Sequence, residues 1–260
     1  MTEEKGVLVD ITRCIGCGAC TVACRMHNKL DGATEKKAGG REREGGLVAG
    51  RWTVVNAYDV MRNGEPVRRF VKRQCLHCRE PVCVEVCFAR GLAKAPDGPV
   101  LYSGRRVCVG CRYCQLACPF GVITMEWGEV FSRVSKCQMC YDRLQEGLAP
   151  ACVAACTTEA LQFGRRDDLL HEARQRIAKH PDRYVPHIFG EKEVGGTNWL
   201  YLSDVPFAEL GFNTEVMDKS ITTYTWKYIR KAPILAVSLP LVFAALYVYT
   251  KRRNENEHGH

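Results

Sequence analysis

Sixteen cysteines dominate the chemistry available to this 260-residue chain, and all of them fall into four short motifs. The motifs are Cys14-x2-Cys17-x2-Cys20-x3-Cys24, Cys75-x2-Cys78-x4-Cys83-x3-Cys87, Cys108-x2-Cys111-x2-Cys114-x3-Cys118-Pro119 and Cys137-x2-Cys140-x11-Cys152-x3-Cys156. Cysteines separated by two residues are poorly placed to bridge each other and well placed to converge on one metal centre. The pattern therefore indicates metal binding by thiolates and argues against a disulfide framework.

The tight spacing of the first and third motifs is typical of bacterial ferredoxins, in which three thiolates hold one cluster and the fourth ligates its neighbour. The second and fourth motifs repeat this pattern with a middle loop that is longer by two and nine residues. A zinc site built from two Cys-x2-Cys pairs would leave Cys20 or Cys114 without a role. The spacing therefore favours iron–sulfur clusters over zinc, and Gly16, Gly18 and Gly110 fit where the backbone must approach a cluster closely.

The spacing leaves open which fourth cysteine serves which cluster. Either sequential neighbours exchange their fourth cysteines, or the central two motifs are nested inside the outer two. The segments CFARGLAK, CPFGVITM and CTTEALQF each continue from a fourth cysteine into a turn and a short apolar run. This repeat predicts duplicated units in which a loop, a short helix and a strand wrap each cluster.

The net charge of +8 would suit nucleic acid, anionic lipid or simple solubility. The basic residues, however, form no stripe interleaved with exposed aromatic residues. Those at 36–43 alternate with glutamates and glycines, which is typical of a solvated loop. We therefore expect no nucleic acid among the partners.

The two ends of the chain differ in character. The start, MTEEKGVLVDITRC, shows no apolar signal segment and no paired arginines, so export would need an address on another polypeptide. Residues 232–250 run for nineteen positions without a charge, between two basic flanks. At 1.5 Å per residue this run extends about 28 Å, close to the hydrocarbon thickness of a bilayer. We predict a single transmembrane helix there, which Pro240 should kink unless a neighbouring helix compensates.

Between the motifs, short runs of strand character predict small hairpins beside the metal loops instead of an extended sheet. These runs are VLVDI (7–11), WTVVNAYDV (52–60), VRRFVKR (67–73), PVLYS (99–103) and VITMEW (122–127). After the last motif, residues 166–180 carry an apolar face at helical spacing, formed by Leu169, Leu170, Ala173 and Ile177. Acidic residues at its start, basic residues at its end and a proline after it predict a surface helix packed on the cluster domain.

Together the motifs resemble those of the four-cluster, ferredoxin-type iron–sulfur subunits of molybdopterin oxidoreductases and membrane hydrogenases. The likeness spans residues 7 to about 165 and includes all sixteen ligand positions. The segment 195–212 and the C-terminal helix look most similar to the β-subunit of membrane formate dehydrogenase and the iron–sulfur subunit of quinone-linked nickel–iron hydrogenase. That family commonly has proline after each fourth cysteine. Here only Pro119 follows this rule, and the other positions hold Arg25, Phe88 and Thr157.

The family uses the nested pairing, so the resemblance implies four [4Fe-4S] clusters with a definite ligand set. Cluster 1 would be held by Cys14, Cys17, Cys20 and Cys156. Cluster 2 would be held by Cys75, Cys78, Cys83 and Cys118. Cluster 3 would be held by Cys108, Cys111, Cys114 and Cys87. Cluster 4 would be held by Cys137, Cys140, Cys152 and Cys24.

The resemblance also implies an α+β fold of tandem bacterial ferredoxin-like units, arranged as two nested two-cluster domains, plus one C-terminal transmembrane helix. The four-cluster domain would cover residues 1–165, with an outer half of 1–30 and 131–165 and an inner half of 66–130. The remaining segments would be a surface helix and connector at 166–231, the transmembrane helix at 232–250 and a polar tail at 251–260.

The sequence has no cysteine outside the motifs to act as a nucleophile and no dinucleotide-binding fingerprint, which argues against catalysis by this chain itself. The resemblance implies an electron-transfer subunit of a respiratory oxidoreductase complex. Its partners would be a catalytic subunit of molybdenum- or tungsten-pterin or nickel–iron type and an integral membrane, quinone-reactive or cytochrome b-type subunit. The family also implies the bacterial inner membrane, with the cluster domain on the periplasmic face and the cytoplasmic face as the alternative.

Two other interpretations stay open. The same relay can run from quinol to a terminal reductase, and a membrane-tethered module can bind metal for interaction or redox sensing. Several basic residues near the motifs would raise cluster potentials if they lay beside a cluster, but we expect them to be surface or interface cations. They are Arg105, Arg106, Arg112 and Lys136. Four histidines are expected to be solvent-facing or hydrogen-bonded and not haem ligands. They are His27, His77, His258 and His260.

Overall fold

The computed structural model describes residues 3–30, 46–103, 107–125 and 132–257, with side chains through residue 254. The chain divides into two compact units, Met1–Ser220 and Ile221–His260. The first unit contains all sixteen cysteines, and the second contains the apolar C-terminal stretch. Some predicted features fall outside the described residues. They are the solvated loop at 36–43, Arg105, Arg106, His258, His260 and the last two positions of the run at 122–127.

The described strands form one three-stranded sheet and three two-stranded ribbons. They are β1 (Lys5–Asp10), β2 (Val54–Arg62), β3 (Glu65–Arg73), β4 (Leu92–Lys94), β5 (Val100–Tyr102), β6 (Thr124–Met125), β7 (Val134–Ser135), β8 (Leu161–Arg165) and β9 (Trp199–Leu202). The three-stranded sheet has the order β8-β1-β9, with β1 antiparallel to β8 and parallel to β9. The ribbons β2-β3, β4-β5 and β6-β7 are all antiparallel.

The three-stranded sheet is buried on both faces, which explains why its central strand has an unbroken apolar sequence. Side chains of a strand alternate between faces. Val7 and Val9 of β1 therefore join Trp199 and Tyr201 of β9 in one core, which also contains cysteines of the motifs. Leu8 points to the opposite face and joins a second core. The sheet thus separates the cysteine-rich interior from a helix-covered back.

The helix that covers this back is the predicted surface helix. The described helices are α1 (Ala19–His27), α2 (Val82–Glu85), α3 (Tyr113–Leu116), α4 (Tyr141–Gln145), α5 (Ala151–Ala154), α6 (Arg166–Lys179), α7 (Ile221–Ile229) and α8 (Ala232–Glu257). Three 3-10 turns add Ile11–Arg13, Glu193–Gly195 and Phe207–Leu210. Leu169, Leu170 and Ala173 of α6 pack with Leu8 and Leu200. Each leucine buried in this way contributes about 1.5–3 kcal/mol, so the second core fixes α6 on the sheet.

In three of the four motifs, the chain has the same conformation after the last cysteine. A strand begins five or six residues later, at β4, β6 and β8. The third residue after the cysteine has a left-handed backbone in each case, with φ of 51° at Arg90, 60° at Gly121 and 52° at Glu159. The predicted turn and following strand are therefore confirmed in these three units.

The prediction of small hairpins alone is wrong for β1. That run pairs with β8 and β9, which lie far away in sequence, because both of its faces are apolar and need cover. The runs at 52–60 and 67–73 do form a hairpin, and each strand is nine residues long. Asn63 and Gly64 connect them with φ of 51° and 85°, the positive values that a two-residue hairpin turn requires.

The second unit is helical throughout its described residues, apart from the break between α7 and α8. The helix α7 was not predicted, because that segment was assigned to a connector. The helix α8 contains all of the predicted span at 232–250, and Pro240 lies inside it without ending it. The stretch Ile221–Asn254 is long and apolar enough to cross a membrane, with a mean hydropathy of 2.0 and none of its apolar window buried in protein. These properties suit a membrane anchor.

Candidate metal centres

All sixteen cysteines are free thiols, and the third cysteine of every motif has the same structural position. It is the second residue of a helix each time, in α1, α2, α3 and α5. These cysteines are Cys20, Cys83, Cys114 and Cys152. The four motifs therefore share one local fold, although two of them have longer middle loops.

A second shared feature lies directly before the second cysteine of each motif. That residue has a left-handed backbone in all four, with φ of 72° at Gly16, 51° at His77, 70° at Gly110 and 59° at Met139. Gly16, Gly18 and Gly110 all have the positive φ that glycine adopts without strain, and their close approach to a cluster stays a prediction. A side chain at position 16 would also collide with the Phe70 ring.

Thiols of the first motif lie beside a cysteine of the last motif. Burial raises the pKa of Cys14, and the neighbouring thiols of Cys156 and Cys17 raise it further. Burial also raises the pKa of Cys20 to about 11, with contributions from Cys152, Cys14 and Cys156. The fold thus brings Cys156 to the first motif across about 140 residues of sequence.

The reverse exchange joins Cys24 of the first motif to the last motif. Burial raises the pKa of Cys24 to about 12, and Cys152 and Cys140 add to this effect. Burial also raises the pKa of Cys137 well above its usual value, with the largest thiol contribution from Cys24. Cys156 therefore lies near thiols of the first motif, and Cys24 lies near thiols of the last motif.

Thiols of the two central motifs also lie near each other. Burial raises the pKa of Cys78 well above its usual value, and Cys75, Cys118 and Cys83 are its thiol neighbours. Cys118 belongs to the third motif in sequence and lies among the thiols of the second. Conversely, burial raises the pKa of Cys114 to about 11, and its neighbours include Cys87 of the second motif together with Cys108 and Cys111.

Backbone and amide N–H groups point at several of these sulfurs. The N–H of Gly91 donates to Cys87 Sγ at 3.2 Å, and that of Met139 donates to Cys137 Sγ at 3.3 Å. The side-chain amide of Asn28 donates to Cys24 Sγ at 3.6 Å. Donors of this kind stabilise thiolates and raise the potential of a bound cluster.

Lys72 is buried beside the thiols of the outer motifs and was missed by the sequence reasoning. Its ammonium group donates to Thr53 Oγ1 at 2.6 Å and to Gln74 Oε1 at 2.8 Å, and lies 4.6 Å from the centre of the Trp199 ring. No carboxylate pairs with it among the described residues. Lys72 lies between Val71 and Arg73 on strand β3, where a charged residue next to an apolar one is typical of a surface strand. The sequence therefore carries no signal of its burial.

Neighbouring cysteine thiols stabilise the positive charge of Lys72. Burial opposes this charge, but the thiols of Cys152, Cys20 and Cys137 outweigh burial and raise the pKa of Lys72 above its ordinary value. A buried cation that faces thiolates offsets the negative charge of a metal centre. The interior at the outer motifs therefore favours an anionic group.

Two further lysines lie beside the central motifs. Lys136 is 2% exposed, and its ammonium group donates to the carbonyls of Val100 and Cys137. The expectation that Lys136 is a surface or interface cation is therefore wrong, because the fold buries its side chain against the backbone of Val100 and Cys137. Lys94 donates to the carbonyl of Cys78 at 2.9 Å.

The predicted histidines have different environments. His27 is hydrogen-bonded to the Asp142 carboxylate at 3.1 Å, as expected. His77 is completely buried and not solvent-facing, and its Nδ1 accepts a hydrogen bond from the N–H of Val100 at 2.8 Å. Arg112 is partly buried. The structure thus makes His77 part of the interior of the cysteine-rich region.

Cys17 and Cys111 are the exposed members of the sixteen cysteines. Large apolar side chains lie exposed close to each in sequence, and they include Met26 at 75% and Leu116 at 80% exposure. The others are Ile15 and Val22 near Cys17, and Val107, Val109 and Tyr113 near Cys111. The first and third motifs thus lie at surfaces with an apolar rim.

The donor set suits clusters. The fold provides four groups of thiols, N–H donors aimed at sulfur, and the buried cations Lys72 and Lys136, which have no carboxylate partner among the described residues. In the part of the chain that the structure describes, which contains every cysteine, no three Cys, His, Asp or Glu side chains converge on the position of a single metal ion. The residues present therefore fit [4Fe-4S] clusters held by cysteine thiolates.

Comparison with known proteins gives the same class of cofactor. A family model described as a 4Fe-4S dicluster domain matches residues 67–166. A protein of Nitratidesulfovibrio vulgaris is 45% identical over 97% of this chain and 68% of its own length. Hydrogenase-2 operon protein HybA of Escherichia coli O157:H7 is 31% identical over 97% of this chain and 86% of its own. The formate dehydrogenase-O iron-sulfur subunit of Escherichia coli K12 is 34% identical over 94% and 81%.

The fold and the thiol groups thus define an iron–sulfur protein that binds [4Fe-4S] clusters. The chain belongs to the family that includes HybA and the iron–sulfur subunits of formate dehydrogenase, which confirms the resemblance of its motifs. It therefore has an electron-transfer role in an oxidoreductase complex and is not the catalytic subunit.

Proposed function

We propose that this chain holds four [4Fe-4S] clusters and relays electrons between a catalytic subunit and a quinone-reactive membrane subunit. The names of its relatives, a hydrogenase-2 operon protein and formate dehydrogenase iron-sulfur subunits, support a catalytic partner of hydrogenase or formate dehydrogenase type. A bound cluster supplies a centre that takes up and releases one electron at a time. The chain's own residues hold these centres, exclude water from them and adjust their charge.

The proposed ligands are those of the nested pairing. The thiol neighbours support it, because each proposed set contains contacts that cross between motifs. In particular, Cys156 lies by the first motif, Cys24 by the fourth, Cys118 by the second and Cys87 by the third. A sequential pairing would instead join the first motif to the second. The thiols that most raise the pKa of Cys14, Cys20, Cys24, Cys78 and Cys83 never include one from the other of these two motifs. On this basis 1–30 with 131–165 form the outer half, and 66–130 form the inner half.

The observation that carries the proposal is a single series of thiol pairs between the four sets, in which one thiol lies near enough to raise the pKa of the other. Cys20 of cluster 1 neighbours Cys152 of cluster 4. Cys137 of cluster 4 neighbours Cys75 of cluster 2. Cys83 of cluster 2 neighbours Cys114 of cluster 3. The chain therefore supports a linear order of clusters 1, 4, 2 and 3, as an electron relay requires.

The two ends of this order coincide with the two exposed cysteines. Cys17 belongs to cluster 1 and Cys111 to cluster 3, and each has an apolar rim. Exposed apolar patches mark interaction sites. We assign these two surfaces to the entry and the exit of electrons, one against the catalytic subunit and the other against the membrane subunit.

The C-terminal helix would span the bacterial inner membrane once and keep the cluster unit beside the quinone-reactive subunit. Its apolar stretch of sufficient length supports this assignment. We propose the periplasmic face for the cluster unit, by analogy with the resemblance to membrane formate dehydrogenase. Protease treatment of intact spheroplasts would then digest the cluster unit, whereas digestion only after lysis would contradict the periplasmic face.

The decisive experiment is purification of the complex in mild detergent, followed by iron analysis and electron paramagnetic resonance of the reduced protein. We expect about sixteen irons per chain, four for each cluster, and several interacting paramagnetic centres. A membrane-tethered zinc module would contain zinc and show no such signals. A redox-sensing module would keep electron flow to quinone after the loss of a cluster, so quinone reduction by the purified complex separates it from a relay. The co-purifying catalytic subunit would identify the substrate.

A further inference from the structure

His77 gives the second motif a feature that the other three lack. The residue directly before the second cysteine is Gly16 in the first motif, Gly110 in the third and Met139 in the fourth. None of these side chains is a hydrogen-bond donor. At the same left-handed position the second motif carries an imidazole, which is completely buried.

The hydrogen bond from Val100 fixes the tautomer of this ring. The backbone N–H of Val100 donates to Nδ1 of His77 at 2.8 Å, so Nδ1 carries no proton and the ring proton is on Nε2. A ring that accepts at Nδ1 is neutral and has a single N–H, which points away from Val100.

This N–H has no protein acceptor in the described part of the chain. Nε2 of His77 is buried and has no hydrogen-bond partner there. A buried donor without an acceptor is destabilising. The ring lies in the loop between Cys75 and Cys78, whose thiols neighbour those of Cys83 and Cys118. His77 also directly precedes Cys78, a proposed ligand of cluster 2, so a sulfur of that cluster is the candidate acceptor for this N–H.

We propose that Nε2–H of His77 donates a hydrogen bond to a sulfur of cluster 2 and raises its potential relative to the same cluster without this donor. The inference rests on the ligand assignment proposed above. Reduction adds negative charge to a cluster, so a hydrogen bond to its sulfur stabilises the reduced form more than the oxidised form. His77 is thus a positioning residue that adjusts the relay and transfers neither a proton nor an electron.

The first test leaves His77 unchanged. The whole complex, labelled with 15N-histidine, is reduced, and its pulsed electron paramagnetic resonance spectrum is searched for a weak 15N coupling on the cluster 2 signal. That signal is identified as the one that Cys118→Ser alters. A 15N coupling at cluster 2 is expected, and its absence would overturn the hydrogen bond and leave a buried water as the acceptor.

The second test separates the sulfur contact from the structural bond to Val100. In His77→Asn the amide oxygen can replace Nδ1 as acceptor, but the side chain is too short to replace Nε2–H. We expect the ratio of reduced to oxidised cluster 2 at a fixed potential to fall about tenfold, which corresponds to about 59 mV. In His77→Gln the longer amide can restore the donor, so most of this loss should be recovered.

The control is His171→Asn, which changes an exposed histidine on α6 and should leave every potential unchanged. An unchanged potential in an assembled His77→Asn complex would overturn the inference, because a merely structural role predicts that result. If His77→Asn fails to assemble cluster 2, the 15N coupling of the native complex decides. Iron content and quinone reduction of the native complex test the relay itself, so the two proposals fail separately.

Discussion

The interior and the ends of the proposed relay differ in how the chain surrounds the thiols. Cys75, Cys137, Cys140 and Cys152 of the interior clusters 2 and 4 are buried, and three lysines lie among or near these thiols. Clusters 1 and 3 each include an exposed cysteine with apolar neighbours. The same local fold thus serves two purposes. We propose that burial with cations insulates a centre, and that exposure with an apolar rim opens it to a partner subunit.

Of the changes considered, removal of iron should have the largest effect on the buried interior thiols and the smallest on the back of the sheet. The main core includes thiols of Cys75, Cys137 and Cys152, and a metal centre that cross-links a core contributes directly to folding. Chelation of iron is expected to abolish the cooperative thermal transition of the cluster unit. Hydrogen exchange should increase first around the interior thiols and less at α6, which packs on the separate core at the back of the sheet.

A folded, protected interior after complete iron loss would contradict this prediction. The same measurement on an iron-loaded sample incubated without chelator is the control.

Replacement of single ligands tests the crossed pairing. Cys118→Ser is expected to alter the signal of the interior cluster 2, although Cys118 belongs to the third motif in sequence. Cys111→Ser, seven residues earlier, should alter the signal of the end cluster 3 instead. Redox titration monitored by paramagnetic resonance distinguishes the two, and identical losses in both variants would argue against the nested pairing.

Removal of the buried cation at Lys72 should have an intermediate effect. Lys72→Met keeps most of the side-chain volume and removes a charge next to the thiols of clusters 1 and 4. We expect the reduced-to-oxidised ratio of these clusters to fall at least tenfold at fixed potential, or about 59 mV or more. Clusters 2 and 3 should change less. Lys179→Met at the exposed end of α6 is the control, and equal shifts at all four clusters would contradict a local charge effect.

A change at an apolar rim should have the smallest effect on the clusters and a selective effect on assembly. Leu116→Glu puts a charge on the rim of cluster 3, where Leu116 is 80% exposed. We expect all clusters to keep their iron, and the ratio of reduced to oxidised cluster at a fixed potential to change less than threefold. One partner subunit should be lost on purification. Met61→Glu changes an exposed apolar residue far from the motifs in sequence and should leave the complex intact. Loss of iron in Leu116→Glu would indicate a structural role instead.

The elements that the sequence could predict are those with local signals. The surface helix α6 followed from its apolar face and its terminal charges, and the strands after the fourth cysteines followed from repeated apolar runs. The pairing of β1 with β8 and β9 could not be predicted, because an unbroken apolar run indicates burial on two faces without naming its neighbours. The hairpin turn at Asn63 and Gly64 had a recognisable sequence, and the signal was overlooked.

The thiol positions were predictable from spacing, whereas the groups that adjust them were not. In the sequence, Lys72 and Lys136 look like ordinary surface cations. The alternation of residue types along a strand indicates which face a side chain is on, but not what packs against that face. The role of His77 depends on a backbone N–H of Val100, twenty-three residues away. Such contacts exist only once the chain has folded, so no local pattern could reveal them.

The pairing of β1 has a consequence for the order of events during synthesis. Residues 5–10 complete their sheet only with strands at 161–165 and 199–202, and contacts that distant form slowly. A ribosome-bound chain therefore exposes the first motif long before Cys156 and the rest of the sheet emerge. Under the proposed pairing, iron loading of the first centre would follow near-complete translation, and a chain truncated before residue 199 should accumulate without it.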